Sequence, residues 1–224
     1  MTALQLYFWP TANGRKAAIM LEELGVPYQL NFVNIVKGEQ FAPEFLKISP
    51  NNRIPALVDT GGPNGTCLSV FESGAILQYL GRKFGRFYAD DERRRVEVEQ
   101  WLFWQVGGLG PMAGQAHHFR EYAPVSIPYA VDRYTKEVER LYGVMERRLA
   151  DRNFLAGEYS IADIACVGWI VPYEKQGQDL GNFPRLKTWF ETVMARPAVE
   201  RAMAIGRAER DRTNFAEVAS FSPP

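Results

Sequence analysis

Ser49-Pro50-Asn51-Asn52-Arg53-Ile54-Pro55-Ala56-Leu57-Val58-Asp59, followed a hairpin later by Val70-Phe71-Glu72-Ser73-Gly74-Ala75-Ile76, sets the architecture of this chain. Ile54-Pro55 opens an apolar, β-branched run, and proline is tolerated in a sheet mainly at the first residue of a strand or on an edge, where no N–H is needed for the ladder. A strand therefore begins there, at a turn. A cis Ile54-Pro55 bond, the state of about 5–6% of X-Pro bonds in folded proteins, would turn the backbone N–H and C=O of Ile54 outward. An extended peptide could then pair with it as an added strand. Glu72-Ser73 stands where a strand gives way to an amphipathic helix through Ile76, Leu77, Leu80 and Phe84. Ser73 is a preferred N-cap residue, the positive helix end welcomes a carboxylate, and Glu72 can take an ammonium. Together these features suit an amino-acid head group; the plainer alternative is that Pro55 only shapes a turn and Ser73 only caps its helix.

Outward from this stretch, Leu4, Leu6 and Phe8 alternate with Gln5 and Tyr7 as a strand does, and Pro10 ends it. Asn13 can cap a helix whose Ala17, Ala18, Leu21 and Leu24 recur at helical spacing, with Gly25 at its C′ position. Tyr28 to Asn34 reads as a second strand, Glu39 to Ile48 as an irregular helix, Ile54 to Asp59 as a third strand and Thr66 to Val70 as a fourth. The order β-α-β-α-β-β-α implies a parallel pair with a crossover and a terminal hairpin, a thioredoxin-like mixed sheet over residues 1–86. A linker at 87–90 leads to an all-α domain over 91–224, making an α+β two-domain chain. There, Gly107-Gly108-Leu109-Gly110-Pro111 breaks a helix, and the glycines admit a kink or a close neighbour. Val131, Tyr134, Val138, Leu141 and Met145 form a buried seam. Ser160-Ile161-Ala162-Asp163 reads as a capping box, and the last helix spans Pro184 to about Ala195.

Of 224 residues, 26 are basic and 26 acidic, so no charge excess argues for nucleic acid or an anionic membrane as partner. No apolar run approaches the ~18 residues of a membrane helix, and Met1 to Trp9 lacks the regions of a signal peptide. Cys67 and Cys166, both read as packing residues, suit a reducing compartment better than a disulfide framework. The expectation is a cytoplasmic protein. His117 and His118 are adjacent, so on a helix they diverge by about 100° and make a poor metal pair; no metal is expected. They line an acceptor pocket with Trp104, Met112 and Phe119, or sit in core or surface positions.

Asn51-Asn52-Arg53-Ile54-Pro55 and Phe71-Glu72-Ser73-Gly74-Ala75-Ile76 resemble the glutathione site of the cytosolic glutathione transferases. Pro10-Thr11-Ala12-Asn13-Gly14 and Trp101 through Pro111 are similar to the Nu class, whose members are disulfide-bond reductases. The likeness runs from about Leu4 to Pro197. It implies glutathione, one or two molecules per site, as co-substrate. Where a stand-alone redox protein of this fold would carry Cys-x-x-Cys, this chain has Pro10-Thr11-Ala12-Asn13-Gly14, so it must borrow its thiol. Glutathione laid along Ile54 would bring its sulfur to the start of the first helix, where the Thr11 hydroxyl, the Asn13 amide and the helix N–H groups can donate to a thiolate. The resemblance assigns this work to Thr11 and Asn13; Tyr7, the early tyrosine that other classes use, is read as structural. Gln40 and Arg53 are the available partners for the glycyl end. Arg133 matches the family position that reaches a glutathione carboxylate from the other subunit, which implies a homodimer.

Disulfide reduction leads the functional expectations. Conjugation to electrophiles or peroxide reduction would use the same thiolate, and a non-catalytic binding protein of the transferase fold is the rival from another class. Joint retention of Thr11, Asn13, Ile54-Pro55 and Glu72-Ser73 weighs against that rival.

Overall fold

The computed structural model describes residues 3–213. Strand β1 (Leu4–Phe8) buries Leu4, Leu6 and Phe8 and leaves Gln5 and Tyr7 half-buried, as its alternation predicts. Helix α1 (Ala12–Leu24) is capped by Thr11 rather than Asn13. Thr11 has the extended backbone of an N-cap, its Oγ1 accepts from the Gly14 N–H at 3.2 Å, and its carbonyl accepts from the Arg15 N–H. Gly25, at φ 66°, closes the helix by donating to the Leu21 and Glu22 carbonyls. Then come β2 (Tyr28–Phe32), the short helix α2 (Pro43–Leu46), β3 (Ala56–Asp59), β4 (Leu68–Phe71) and α3 (Ser73–Phe84). The sheet order is β2-β1-β3-β4; β2 runs parallel to β1, and β3 is antiparallel to both β1 and β4. This is the expected mixed sheet. Its strands are shorter than the sequence suggests: β3 starts at Ala56 instead of Ile54, and β4 starts at Leu68, which leaves Cys67 exposed outside the ladder. Cys67 is therefore not a packing residue, whereas Cys166 is buried.

The unit Gly85–Arg196 is helical. Helix α4 (Glu92–Trp104) is capped by the Asp91 carboxylate, which accepts from the Arg94 N–H at 2.9 Å. Gly107 and Gly108 do not break the chain's helical course. A wide π-type turn over Gln105–Leu109 carries it into α5 (Gly110–His117), and a second over His118–Tyr122 ends it. Pro111 supplies the reason: without an N–H it cannot bond the Gly107 carbonyl, and the Gly110 N–H reaches back five residues to Gln105. The close neighbour is at Gly110, where a Cβ would come within 2.7 Å of Gln105 Nε2; at Gly107 and Gly108 it would meet open space. Helix α6 (Pro128–Arg148) buries Val138, Leu141 and Met145 of the expected seam together with Ala130 and Tyr142, while Val131 and Tyr134 of that seam stay half-buried.

Helix α7 (Ile161–Ile170) begins with the capping box read from the sequence. The Asp163 carboxylate does more than cap. Fully buried, it accepts from the Ser160 N–H, the Leu155 N–H and Nε1 of Trp189 on α8 (Pro184–Met194), at 3.0, 3.0 and 2.8 Å. Burial pushes its carboxyl up to about 6 against the pull of these donors.

Beyond α8 the chain forms α9 (Pro197–Ala204) and α10 (Arg207–Asp211), two helices the sequence reading did not resolve. That reading assigned 91–224 to the helical domain, whereas the structure groups the segment from Pro197 with the sheet and α1–α3. Residues 214–224 lie outside the described residues. A buried cation accounts for the grouping. Arg15 of α1 donates from one guanidinium nitrogen to the Ala202 and Ile205 carbonyls, both at 2.5 Å, and so satisfies the end of α9. Burial, then the charges of Arg210 and Arg207, lower its pKa to about 10. Arg15→Met should destabilise this unit by about 3 kcal/mol or more, since two hydrogen bonds from a charged group are worth at least ~1.5 each. Urea unfolding and protease cleavage beyond Pro197 read the effect; unchanged values would mean that α9 docks by apolar packing alone.

Candidate functional site

The antiparallel ladder stops at Tyr7, Ala56 and Phe71, which sit side by side on β1, β3 and β4. Immediately past it lies Ile54-Pro55, joined by a cis peptide bond. Among the described residues no hydrogen bond engages the Ile54 N–H or C=O. On the neighbouring strand the chain leaves Phe71 through Glu72, at φ 68°, a left-handed conformation that a non-glycine residue adopts at a cost of roughly 1–3 kcal/mol. That twist swings the chain into α3. The Glu72 carbonyl accepts the first helical bond, from the Ile76 N–H at 3.0 Å, so Glu72 and not Ser73 holds the capping position. Ser73 is the first helical residue, and its hydroxyl accepts from Lys16 Nζ at 3.3 Å.

These residues enclose a polar cleft of about 260 Å³, lined by Asn13, Ile54, Glu72, Ser73 and Arg53, with Asn51, Ser49, Pro55 and Phe71 completing it. Asn51 Nδ2 donates to the Glu72 carboxylate at 3.4 Å, and Ser49 Oγ donates to the Arg53 carbonyl at 2.8 Å, fixing the turn before Ile54. Of the eight residues that the sequence analysis gives to the thiolate or to glutathione, Asn13, Arg53, Ile54, Glu72 and Ser73 therefore meet in one place. Thr11 stands two residues before Asn13, at the cap of α1, and is not itself among the lining residues. Its Oγ1 accepts from Gly14, so the hydroxyl hydrogen remains to be donated.

Gln40 and Arg133 do not line this cleft. Gln40 is buried on a short turn, its Nε2 donating to the Ile35 carbonyl at 3.4 Å. Arg133, exposed on α6 in the other unit, lines a separate cleft of about 590 Å³ with Met112, Tyr129, Tyr134 and Arg140 among others. Tyr7 belongs to the sheet face opposite Leu6 and Phe8. It packs against Phe45, ring centroids 6.1 Å apart, in a cluster with Val33, Ala56, Ile48 and Ile54. Of the residues near the acceptor pocket expected from sequence, His117 pairs with Tyr122, Nε2 to hydroxyl 2.8 Å, Phe119 stacks on Tyr134, and Trp104 packs on Trp101. Burial lowers the His117 pKa. Among the described residues, no three His, Cys, Asp or Glu side chains gather where they could hold a metal.

The sequence reading gives no role to Lys16, and none of their own to Ser49 and Asn51 within the motif it starts from. For Lys16 a signal existed: the charged pair Arg15-Lys16 runs directly into the apolar stretch Ala17-Ala18-Ile19-Met20-Leu21, which becomes fully buried.

Residues 2–82 match the N-terminal domain and residues 128–197 the C-terminal domain of glutathione S-transferase. The chain is 50% identical over 213 residues to the disulfide-bond oxidoreductase YfcG of Escherichia coli K12, a match covering 94% of this chain and 99% of that protein. This chain belongs to the glutathione S-transferase family. A crystal structure of a Pseudomonas putida glutathione transferase with one glutathione disulfide bound per subunit superposes at a TM-score of 0.87, with 42% identity and coverage of 91% of this chain and 92% of that one. A Burkholderia graminis transferase with two glutathione molecules per subunit also gives 0.87, at 41% identity, covering 92% of this chain and 89% of that one. Among the described residues, the Tyr7 hydroxyl makes one hydrogen bond, donated to Gln5 Oε1 at 3.4 Å. Tyr7→Phe should therefore shift stability by less than about 0.5 kcal/mol, while Tyr7→Ala, which empties the space beside Phe45, should cost about 2–3 kcal/mol. Denaturant midpoints distinguish the two; equal losses would show that the hydroxyl matters.

Proposed function

We propose that this chain is a glutathione-dependent disulfide-bond reductase of the Nu class. The observation that carries the reading is the cleft in which an unpaired Ile54 backbone, the Glu72 carboxylate and the first residue of α3 face Asn13 at the start of α1. The spacing suits a γ-glutamyl tripeptide. Its main chain would pair with Ile54, its ammonium would meet Glu72, and its carboxylate would meet the N-terminus of α3. The cysteine sulfur then falls toward the start of α1. Gln40 and Arg53 are assigned to the glycyl end. The kinship with a disulfide-bond oxidoreductase at 50% identity supports the reaction type.

In the reaction, a bound glutathione thiolate attacks one sulfur of a disulfide, forming a mixed disulfide and releasing the other sulfur as a thiolate that takes up a proton. A second glutathione thiolate attacks the glutathione sulfur of the mixed disulfide, releasing the remaining thiol and leaving glutathione disulfide. Two glutathione molecules are oxidised for each disulfide reduced. The Thr11 hydroxyl, the Asn13 amide and the positive end of α1 hold the attacking sulfur as thiolate. Lowering a thiol from ~8.5 to ~7 takes about 2 kcal/mol, within reach of two or three donors.

The enzyme is proposed to be a cytoplasmic homodimer in which Arg133 serves the site of the other subunit. Exposed apolar side chains on α4 and α6, Phe103 at 61% and Tyr129 at 74% exposure, support an interface there. Among the described residues Cys67 and Cys166 form no disulfide, which fits a reducing compartment. Sedimentation should give twice 25.4 kDa, and Arg133→Ala should weaken glutathione binding; a fully active monomer would remove that role.

Thr11→Ala and Asn13→Ala should each slow turnover of a small disulfide by about tenfold or more, taking ~1.4 kcal/mol as the least that a charge-assisted bond is worth. Because Thr11 also caps α1, Thr11→Ala should cost ~1 kcal/mol of stability, and Thr11→Ser should recover most of both losses. The pair Cys67→Ser, Cys166→Ser should keep its turnover per folded molecule, with a stability cost of about 1–3 kcal/mol from the buried Cys166 site only. A dead cysteine-free enzyme would make the protein itself the redox carrier. Unaffected Thr11 and Asn13 variants would return attention to Tyr7.

A further inference from the structure

We propose that Lys16 is a positioning residue for the γ-glutamyl carboxylate, acting through Ser73; this rests on the glutathione reading above. Lys16 lies on α1 and retains 2% of its surface, yet its ammonium reaches Ser73 at the first turn of α3, where Ser73 lines the cleft. A serine hydroxyl has one hydrogen and two lone pairs. With one lone pair taken by Lys16 Nζ, the hydrogen turns away from the ammonium and toward the cleft. Ser73 is thereby presented as a donor, which suits a group that only accepts. It is free for this role because the capping carbonyl belongs to Glu72, whose Ile76 bond starts the helix.

The ammonium beside that hydroxyl polarises it, so the Ser73 hydrogen is a stronger donor to an anion than an unassisted hydroxyl would be. Lys16 also lies three residues beyond Asn13, about 4.5 Å along the α1 axis. One helix thus supplies a group for the sulfur and, a turn later, the buried cation behind the carboxylate end.

Calorimetry tests this with wild type, Lys16→Met, Lys16→Gln and Ser73→Ala, against glutathione and against its analogue carrying a carboxamide in place of the γ-glutamyl α-carboxylate. Both Lys16 variants should bind glutathione at least about tenfold more weakly, the weight of a charge-assisted contact. Toward the carboxamide they should differ from wild type by less than about threefold, because the missing negative charge has already removed what Lys16 acts on. Lys16→Met combined with Ser73→Ala should be no weaker than Ser73→Ala alone within the same margin. In turnover, KM for glutathione should rise by more than kcat falls. A loss of packing would weaken both ligands alike, so equal losses overturn the proposal, as does unchanged glutathione affinity in the Lys16 variants. Should Lys16→Met fail to fold, Lys16→Gln, of similar length and still polar, carries the same comparison. Failure of the wild-type protein to bind glutathione at all would instead refute the reading on which the proposal rests.

Discussion

Everything at the site depends on where the antiparallel ladder ends. Backbone pairing holds Tyr7, Ala56 and Phe71 in one row, and the residues just past it are released from the sheet together. Ile54 is left with its N–H and C=O unengaged among the described residues, and Glu72 twists into α3 at φ 68°. In the same register the ladder would next pair Pro55 with Glu72 and then Ile54 with Ser73; extended that far it would consume the polar groups of Ile54 and straighten Glu72, closing the cleft from both sides. The Tyr7, Phe45 and Ile54 cluster packs against this edge. Its contribution is to keep the edge where it is, which is why the most chemically suggestive side chain of β1 reads as packing.

Helix α1 is the second organiser, because successive residues along its first turns face different tasks. Thr11 and Asn13 stand at its positive end beside the cleft. Arg15 reaches one way, to the end of α9, and Lys16 the other, to the start of α3. The two buried cations are adjacent in sequence and meet helix ends of opposite polarity. Arg15 satisfies carbonyls at a negative end, which is favourable; Lys16 lies at a positive end, which is not. The first arrangement ties α9 to α1, and the second underlies the role proposed for Ser73.

The helical unit shows how a local irregularity can be absorbed. Pro111 removes one N–H, and the chain widens into a π-type turn rather than breaking. At Gly110 the missing side chain leaves room for Gln105 and Trp169. Asp163 anchors the same unit from inside α7, tying the loop at Leu155, the cap at Ser160 and Trp189 of α8 to one carboxylate.

Alternation and spacing determined the mixed sheet, the order of its elements, the capping box at Ser160 and the seam of α6, because each depends on residues within a few positions of one another. The motifs around Ile54 and Ser73 likewise mark residues that line the cleft. Contacts between distant segments were invisible to the same reading. That Arg15 would bind carbonyls at 202 and 205, that Lys16 would reach Ser73, and that β3 would begin at Ala56 rather than Ile54 are outcomes of packing. A side chain's partner across the fold leaves no periodic trace in the chain. The cap of α1 was misassigned to Asn13 for a related reason: Thr and Asn both cap well, and only the backbone angles that the sheet imposes on Thr11 decide between them.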